Sequence, residues 1–173
     1  MNTPLTPTTR LEDPTFHIVL LAPEIPNNTG NIGRTAAATG ARLHLIHPLG
    51  FELTEKACRR AGLDYWHLVD WVEHDSWEAF VESEQPQRLW LYTTKAERPH
   101  WEADFQRGDY LLFGRETAGV PEDVHDWVCA HQGDARRITL PMVEDPRARS
   151  LNLATAVCAG VYEGLRQLDV SFS

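Results

Sequence analysis

Short apolar runs rich in β-forming residues recur along the chain, at Phe16 to Leu21, Leu43 to Ile46, Leu89 to Thr93, Tyr110 to Phe113 and Ile138 to Leu140. Such runs predict buried strands. Between them, helical spacing marks Ile32 to Ala38, Leu53 to Ala61, Ser76 to Val81 and Val124 to Val128. The alternation predicts an α/β domain, a mostly parallel sheet with helices on both faces. The last helix is the clearest, because Ala154, Val157, Cys158, Val161, Leu165 and Leu168 share one face at spacings of three and four. That face should pack on the sheet or on a partner subunit. Residues 1 to 15 carry Pro4, Pro7 and Pro14 among Thr, Asn and charged residues, a composition that predicts a mobile tail. No linker or repeat interrupts residues 16 to 173, which read as one domain.

The length of 173 residues agrees with that reading, and 42% hydrophobic against 24% charged residues excludes a disordered chain. No apolar run nears the roughly 18 residues that span a bilayer, and the N-terminus lacks a secretory hydrophobic centre, so a cytoplasmic protein without membrane contact is expected. Cys58, Cys129 and Cys158 fit neither a disulfide framework nor a metal knuckle and are expected as core thiols. The net charge of −9 excludes a diffuse electrostatic grip on nucleic acid. Positive charge gathers only in pairs, Arg59/Arg60, Lys95/Arg98, Arg136/Arg137 and Arg147/Arg149, so any RNA contact must be local.

The chain has no GxSxG, HExxH, GxxxxGK[ST] or GxGxxG motif. Its polar and glycine-rich residues gather in three segments, each after a predicted strand, where open α/β sheets collect ligands. Pro26 to Arg34 reads either as an Asn/Gly turn with caps or as an anion site at a helix N-terminus, with Arg34 one turn into the helix. In Leu111 to Pro121 the strand ends at Gly114, where a ligand can approach the backbone, and Glu116 supplies a carboxylate. The third segment runs from Ile138 through Asp145 and Arg147 to Ala154, and Ser150 or Asn152 would cap the last helix. The eight histidines are too scattered to form a triad by spacing.

Together the segments resemble the SPOUT (SpoU-TrmD) RNA methyltransferases. The motifs occur in order as Asn-x-Gly-Asn-Ile-x-Arg at Asn28 to Arg34, Phe-Gly-x-Glu-x-x-Gly at Phe113 to Gly119, and Leu-Pro-Met followed by Ser-Leu-Asn-Leu between Leu140 and Leu153. Pro23 to Ile32, Arg60 to Tyr65 and Thr93 to Lys95 are similar to the tRNA (cytidine/uridine-34-2'-O)-methyltransferase subfamily. The resemblance implies a C-terminal trefoil knot, a homodimer whose active site borrows residues from the second subunit, and S-adenosylmethionine held at Tyr92, Gly114, Leu140, Ser150 and Leu151. It implies 2'-O-methylation of wobble nucleotide 34 in the tRNA anticodon loop, an exposed single-stranded target.

In that chemistry no metal is required, because the sulfonium methyl is already activated and the protein has to align it and stabilise a developing alkoxide. The resemblance makes Arg34 essential, as proton acceptor or as alkoxide stabiliser. Asn152 and Ser150 would orient ribose and cofactor, and Glu116 and Asn28 would fix the loops. Lys95, Arg147, Arg149 and Tyr162 are the candidate RNA contacts. One departure is a loop between Met142 and Ser150 longer than the subfamily pattern. Alternatives are another RNA site, a non-catalytic RNA-binding module of the same fold, and a dinucleotide oxidoreductase, against which the missing third glycine and ribose-binding acid count.

Overall fold

The computed structural model describes residues 4–60 and 65–169, without the side chains of residues 55, 58 and 59. Six strands form one sheet: β1 (His17–Leu21), β2 (Arg42–Ile46), β3 (Asp70–His74), β4 (Leu89–Tyr92), β5 (Tyr110–Phe113) and β6 (Arg137–Ile138). Their order is β3-β2-β1-β5-β4-β6, and every pair is parallel. Five helices accompany them: α1 (Pro26–Thr39), α2 (Glu55–Arg60), α3 (Trp77–Glu84), α4 (Glu122–Gln132) and α5 (Leu153–Leu168).

Alternation along the strands divides the core in two. Ile18 and Leu20 of β1 join Leu43, Leu45, Leu111 and Phe113 beneath α1 and α5, which contribute Ile32, Ala36, Val157, Val161 and Leu165. Val19 and Leu21 point the other way, to Phe80 of α3 and Val124 and Val128 of α4. The apolar face of α5 is therefore consumed by the sheet side of its two expected partners, which leaves Tyr162 on the exposed side. Cys129 and Cys158 are free and half-buried, not core thiols.

Three features depart from the periodicity reading. β3 was invisible because Asp70, Glu73 and His74 interrupt its apolar pattern; as an edge strand paired only to β2 it tolerates them. Helix α1 starts at Pro26, six residues before its first apolar position, so Pro26 to Asn31 are helix and not a turn, and Arg34 lies about two turns in. Gly33 faces the core, where a Cβ would come 2.3 Å from the Trp66 ring. Residues 4–15, whose composition predicts a mobile tail, are held at intervals. Leu5 N–H donates to Leu53 O, the Thr8 and Thr9 hydroxyls donate to His67 O, and Leu11 N–H donates to Asp70. Part of the predicted segments, residues 1–3, 61–64 and 170–173, lies outside the described residues.

Candidate active site

The sheet reverses its winding between β1 and β5, and the loops leaving β1, β5, β4 and β6 gather at this end. A cavity of about 590 Å³ opens there, its walls drawn from Tyr92 to Lys95, Phe113 to Val120, Thr139, Leu140 and Met142 beyond β6, and Arg149 to Leu151 with Leu153 before and in α5. Its volume is in the range of small-molecule sites.

Gly114 opens a tight turn in which Arg115 and Gly119 exchange backbone hydrogen bonds of 3.1 and 2.9 Å, with Gly119 at φ 65°. A Cβ on Gly114 would lie 2.1 Å from the Gly119 carbonyl carbon. The loop's own return therefore requires a glycine here, and Gly114 also lines the cavity. Tyr92 turns inward, stacked on Phe113 at 4.6 Å, with its hydroxyl 3.2 Å from His100 Nδ1. Burial pushes its phenol far above the ordinary range. Only part of Tyr92 is left to face the cavity.

The three motif segments are joined by side chains. Glu116 accepts from the backbone N–H of Glu24 at 2.8 Å and of Ile25 at 3.1 Å, and from Asn28 Nδ2 at 3.2 Å. It thereby caps α1, whose own N-cap residue, Ile25, has no side chain able to accept. Glu24 returns the contact by accepting from the Thr117 N–H and hydroxyl. Asn28 Oδ1 accepts from Asn152 Nδ2 at 2.9 Å, and Asn152 Oδ1 caps α5 through the Thr155 N–H. Asn152, not Ser150, is the N-cap. Ser150 is exposed on the cavity wall.

Of the sequence candidates, Tyr92, Lys95, Gly114, Glu116, Leu140, Arg149, Ser150 and Leu151 line the cavity, and Asn28 and Asn152 are bonded to its wall. Arg34, Arg147 and Tyr162 do not line it. Arg34 is exposed, with its guanidinium over the face of Tyr65. Lys95 pairs with Glu122 at 2.9 Å, and Arg147 is held by both carboxylate oxygens of Asp145. Each cation holds its carboxylate below the usual range.

Periodicity also hid a histidine cluster away from the cavity. His17 Nδ1 lies 2.8 Å from His44 Nε2, His44 Nδ1 lies 3.0 Å from His74 Nε2, and His74 Nδ1 lies 3.4 Å from the Ser83 hydroxyl. The strand register assembles what chain spacing scattered. Burial favours the neutral rings, lowering His17 to about 4 and His44 well below its ordinary value. Nitrogens of His17 and His44 and a Glu84 oxygen lie within 4.8 Å of one another, but the rings bond each other and Glu84 accepts from Tyr110.

Comparison with known proteins decides the family. The model of the SpoU rRNA methylase family matches residues 15–162. The chain belongs to that family. Among SpoU-family relatives, the tRNA (cytidine(34)-2'-O)-methyltransferase of Saccharophagus degradans is 48% identical over 158 residues, 91% of this chain and 99% of its own. The enzyme of the same name from Escherichia coli K12 is 49% identical over 153 residues, 88% and 94% of the two chains. A solved structure described as "Structural insights into the 2-OH methylation of C/U34 on tRNA" is 48% identical, covers 89% of this chain and 96% of its own, and superposes with a TM-score of 0.77. AviRb of Streptomyces viridochromogenes, a SpoU methyltransferase solved with AdoMet, is 25% identical with a TM-score of 0.74; the match covers 92% of this chain and 62% of AviRb.

Sequence reasoning missed three residues around this SpoU-type site. Glu24 and Thr117 fall inside segments that carry the resemblance, but no spacing pairs them with each other. His125 was passed over as one scattered histidine. It is 2% exposed, lines the cavity, and its Nδ1 has no partner among the described residues.

Proposed function

We propose that this chain transfers a methyl group from S-adenosylmethionine to the ribose 2'-hydroxyl of wobble nucleotide 34, cytidine or uridine, in tRNA. The observation that supports it best is the chain of bonds Glu116–Asn28–Asn152, which draws all three motifs to one cavity mouth. The names borne by relatives 48% and 49% identical point to the same reaction. AviRb, solved with AdoMet, supports the cofactor.

The cavity suits that cofactor. Tyr92, Phe113, Leu140, Leu151 and Leu153 give apolar walls for a nucleoside, Ser150 and Thr139 give polar atoms, and the orphaned Nδ1 of His125 marks a wall built for polar company. Residues Tyr92, Gly114, Leu140, Ser150 and Leu151 would hold it, largely through backbone. Bound there, it supplies a methyl already activated by its sulfonium charge. The remaining task is alignment and charge stabilisation, for which Arg34 is the essential residue. Glu116, Asn28 and Asn152 keep α1, which bears Arg34, in fixed relation to the cavity. Lys95, Arg147, Arg149 and Tyr162 meet the anticodon loop.

Arg34 stands outside the cavity wall, so a homodimer, in which a second copy completes the site, belongs to this reading. So do a trefoil knot around the α5 connection and action in the cytoplasm. Among the described residues no helix is long and apolar enough to cross a membrane.

The test is incubation with labelled S-adenosylmethionine and total tRNA, followed by nuclease mapping. Label on the ribose of nucleotide 34 is expected. Label at another position, or RNA binding without any label, overturns the assignment in favour of a different RNA site or a non-catalytic module.

A further inference from the structure

Arg34 is held in an unusual way for an exposed arginine. Among the described residues it has no carboxylate partner, and its guanidinium carbon stands 4.6 Å from the centre of the Tyr65 ring, over its face. The ring itself is fastened. The Tyr65 hydroxyl donates to the carbonyl of Gly30, one turn before Arg34 on the same helix. The next residue, Trp66, is buried in the core and lies so close to α1 that a Cβ on Gly33 would come 2.3 Å from its ring. The 65–66 turn is therefore fixed to α1 at Gly30, Gly33 and Arg34 together.

We propose that Tyr65 is a positioning residue that holds Arg34 over its ring as a cation with its N–H donors free, so that Arg34 stabilises the developing alkoxide rather than taking its proton. This rests on the reading that Arg34 serves methyl transfer. A carboxylate partner would orient the side chain, but it would consume N–H donors and cancel the charge. An aromatic face orients it and does neither. The same face attracts positive charge through its quadrupole and gives a neutral guanidine no such attraction. A residue meant to collect a proton gains nothing from that partner; a residue meant to meet an oxyanion gains placement at full charge. In the balanced step the ribose oxygen takes the methyl carbon as the bond to sulfur breaks. The electron pair of that bond stays on sulfur and leaves a neutral thioether, while the hydroxyl proton passes to water, so the one positive charge ends on hydronium.

Two measurements test this on the full chain. In the first, Tyr65→Phe keeps the ring and is expected within about threefold of wild-type kcat, while Tyr65→Leu loses about tenfold or more. In both, KM for S-adenosylmethionine should stay unchanged, and the melting temperature should fall by a similar small amount because each loses the hydroxyl bond to Gly30. Should Tyr65→Leu fall further than Tyr65→Phe, Tyr65→Met carries the same comparison. Wild-type kcat without the ring, with Arg34→Ala inactive, overturns the role of Tyr65 alone. Full activity of Arg34→Ala overturns the underlying reading instead. In the second, the rate of Arg34→Lys relative to wild type is followed from about pH 7 to 10, below the ordinary lysine pKa of about 10.4. A flat or falling ratio is expected for a cation that stabilises charge. A ratio that climbs as the lysine sheds its proton shows a proton acceptor at this position and overturns the proposal.

Discussion

Two chains of hydrogen bonds cross this molecule, and they are built to opposite ends. The ladder His17–His44–His74 runs across β1, β2 and β3 inside the fold, walled by Tyr110 and Phe80. Five of its six ring nitrogens are spent on one another and on Ser83. The chain Glu116–Asn28–Asn152 runs along the mouth of the cavity, and Arg149 and Ser150 on its wall and Arg34 outside it keep donors that none of the described residues consumes. Buried titratable groups that satisfy each other hold a structure; exposed ones left unsatisfied beside a braced cavity are available to a ligand. Count and chemistry of the side chains do not separate the two regions, since the histidines are the more familiar catalysts. What separates them is whether their hydrogen-bonding capacity is already used.

The contrast can be broken most directly at Arg34. Arg34→Ala should lower methyl transfer by about 10²- to 10³-fold. Its melting temperature should match wild type, because the side chain is exposed. A parallel loss of stability would make Arg34 structural and erase the distinction. Gly114→Ala should damage both properties at once. The neighbouring atoms at 2.1 and 2.3 Å are backbone, so the turn must open, at a cost of about 3 kcal/mol or more, with weakened S-adenosylhomocysteine binding by thermal shift.

The ladder predicts a pH dependence of stability, not of chemistry. Burial lowers the pKa of all three histidines, His17 to about 4. Below the ordinary value near 6.5 the unfolded chain binds protons that the folded ladder refuses. Stability from this source is therefore complete above about pH 6.5 and is lost as pH falls toward 4, by an amount on the order of 2 kcal/mol. His17→Gln should flatten that slope in thermal melts. A wild-type melting temperature constant from pH 7 to 4.5 would mean that the ladder is not a neutral network. The smallest effect belongs to Arg147, already engaged by Asp145. Arg147→Ala should weaken tRNA binding less than about tenfold and lower the slope of log affinity against log salt by about 0.7 to 0.9 if it meets one phosphate. An unchanged slope would remove Arg147 from the RNA surface.

Much of this was legible before any coordinates. Five of the six strands lay within two residues of their apolar runs, and α5 declared itself through the spacing of Val157, Val161 and Leu165. Motif order placed three loops at one sheet edge. Illegible were β3, an edge strand whose polar residues break the pattern, and the first turns of α1, where Pro26, Asn27 and Gly30 look like a turn. Illegible too was the second demand on Gly114, because the backbone that a Cβ would strike belongs to the return of its own loop.

By itself the sequence determined which segments are strands and helices, which faces are apolar, and which residue types stand at the strand ends. Those properties depend on neighbours two to four positions apart, a range over which side-chain spacing is informative. The tertiary structure alone decided the pairings. Asn28 meets Asn152 across 124 positions, Glu116 caps a helix 91 positions away, His17 finds His44 through strand register, and Tyr65 comes to lie under Arg34. No local pattern encodes such contacts, because they exist only once the sheet order has set which distant strand ends lie side by side.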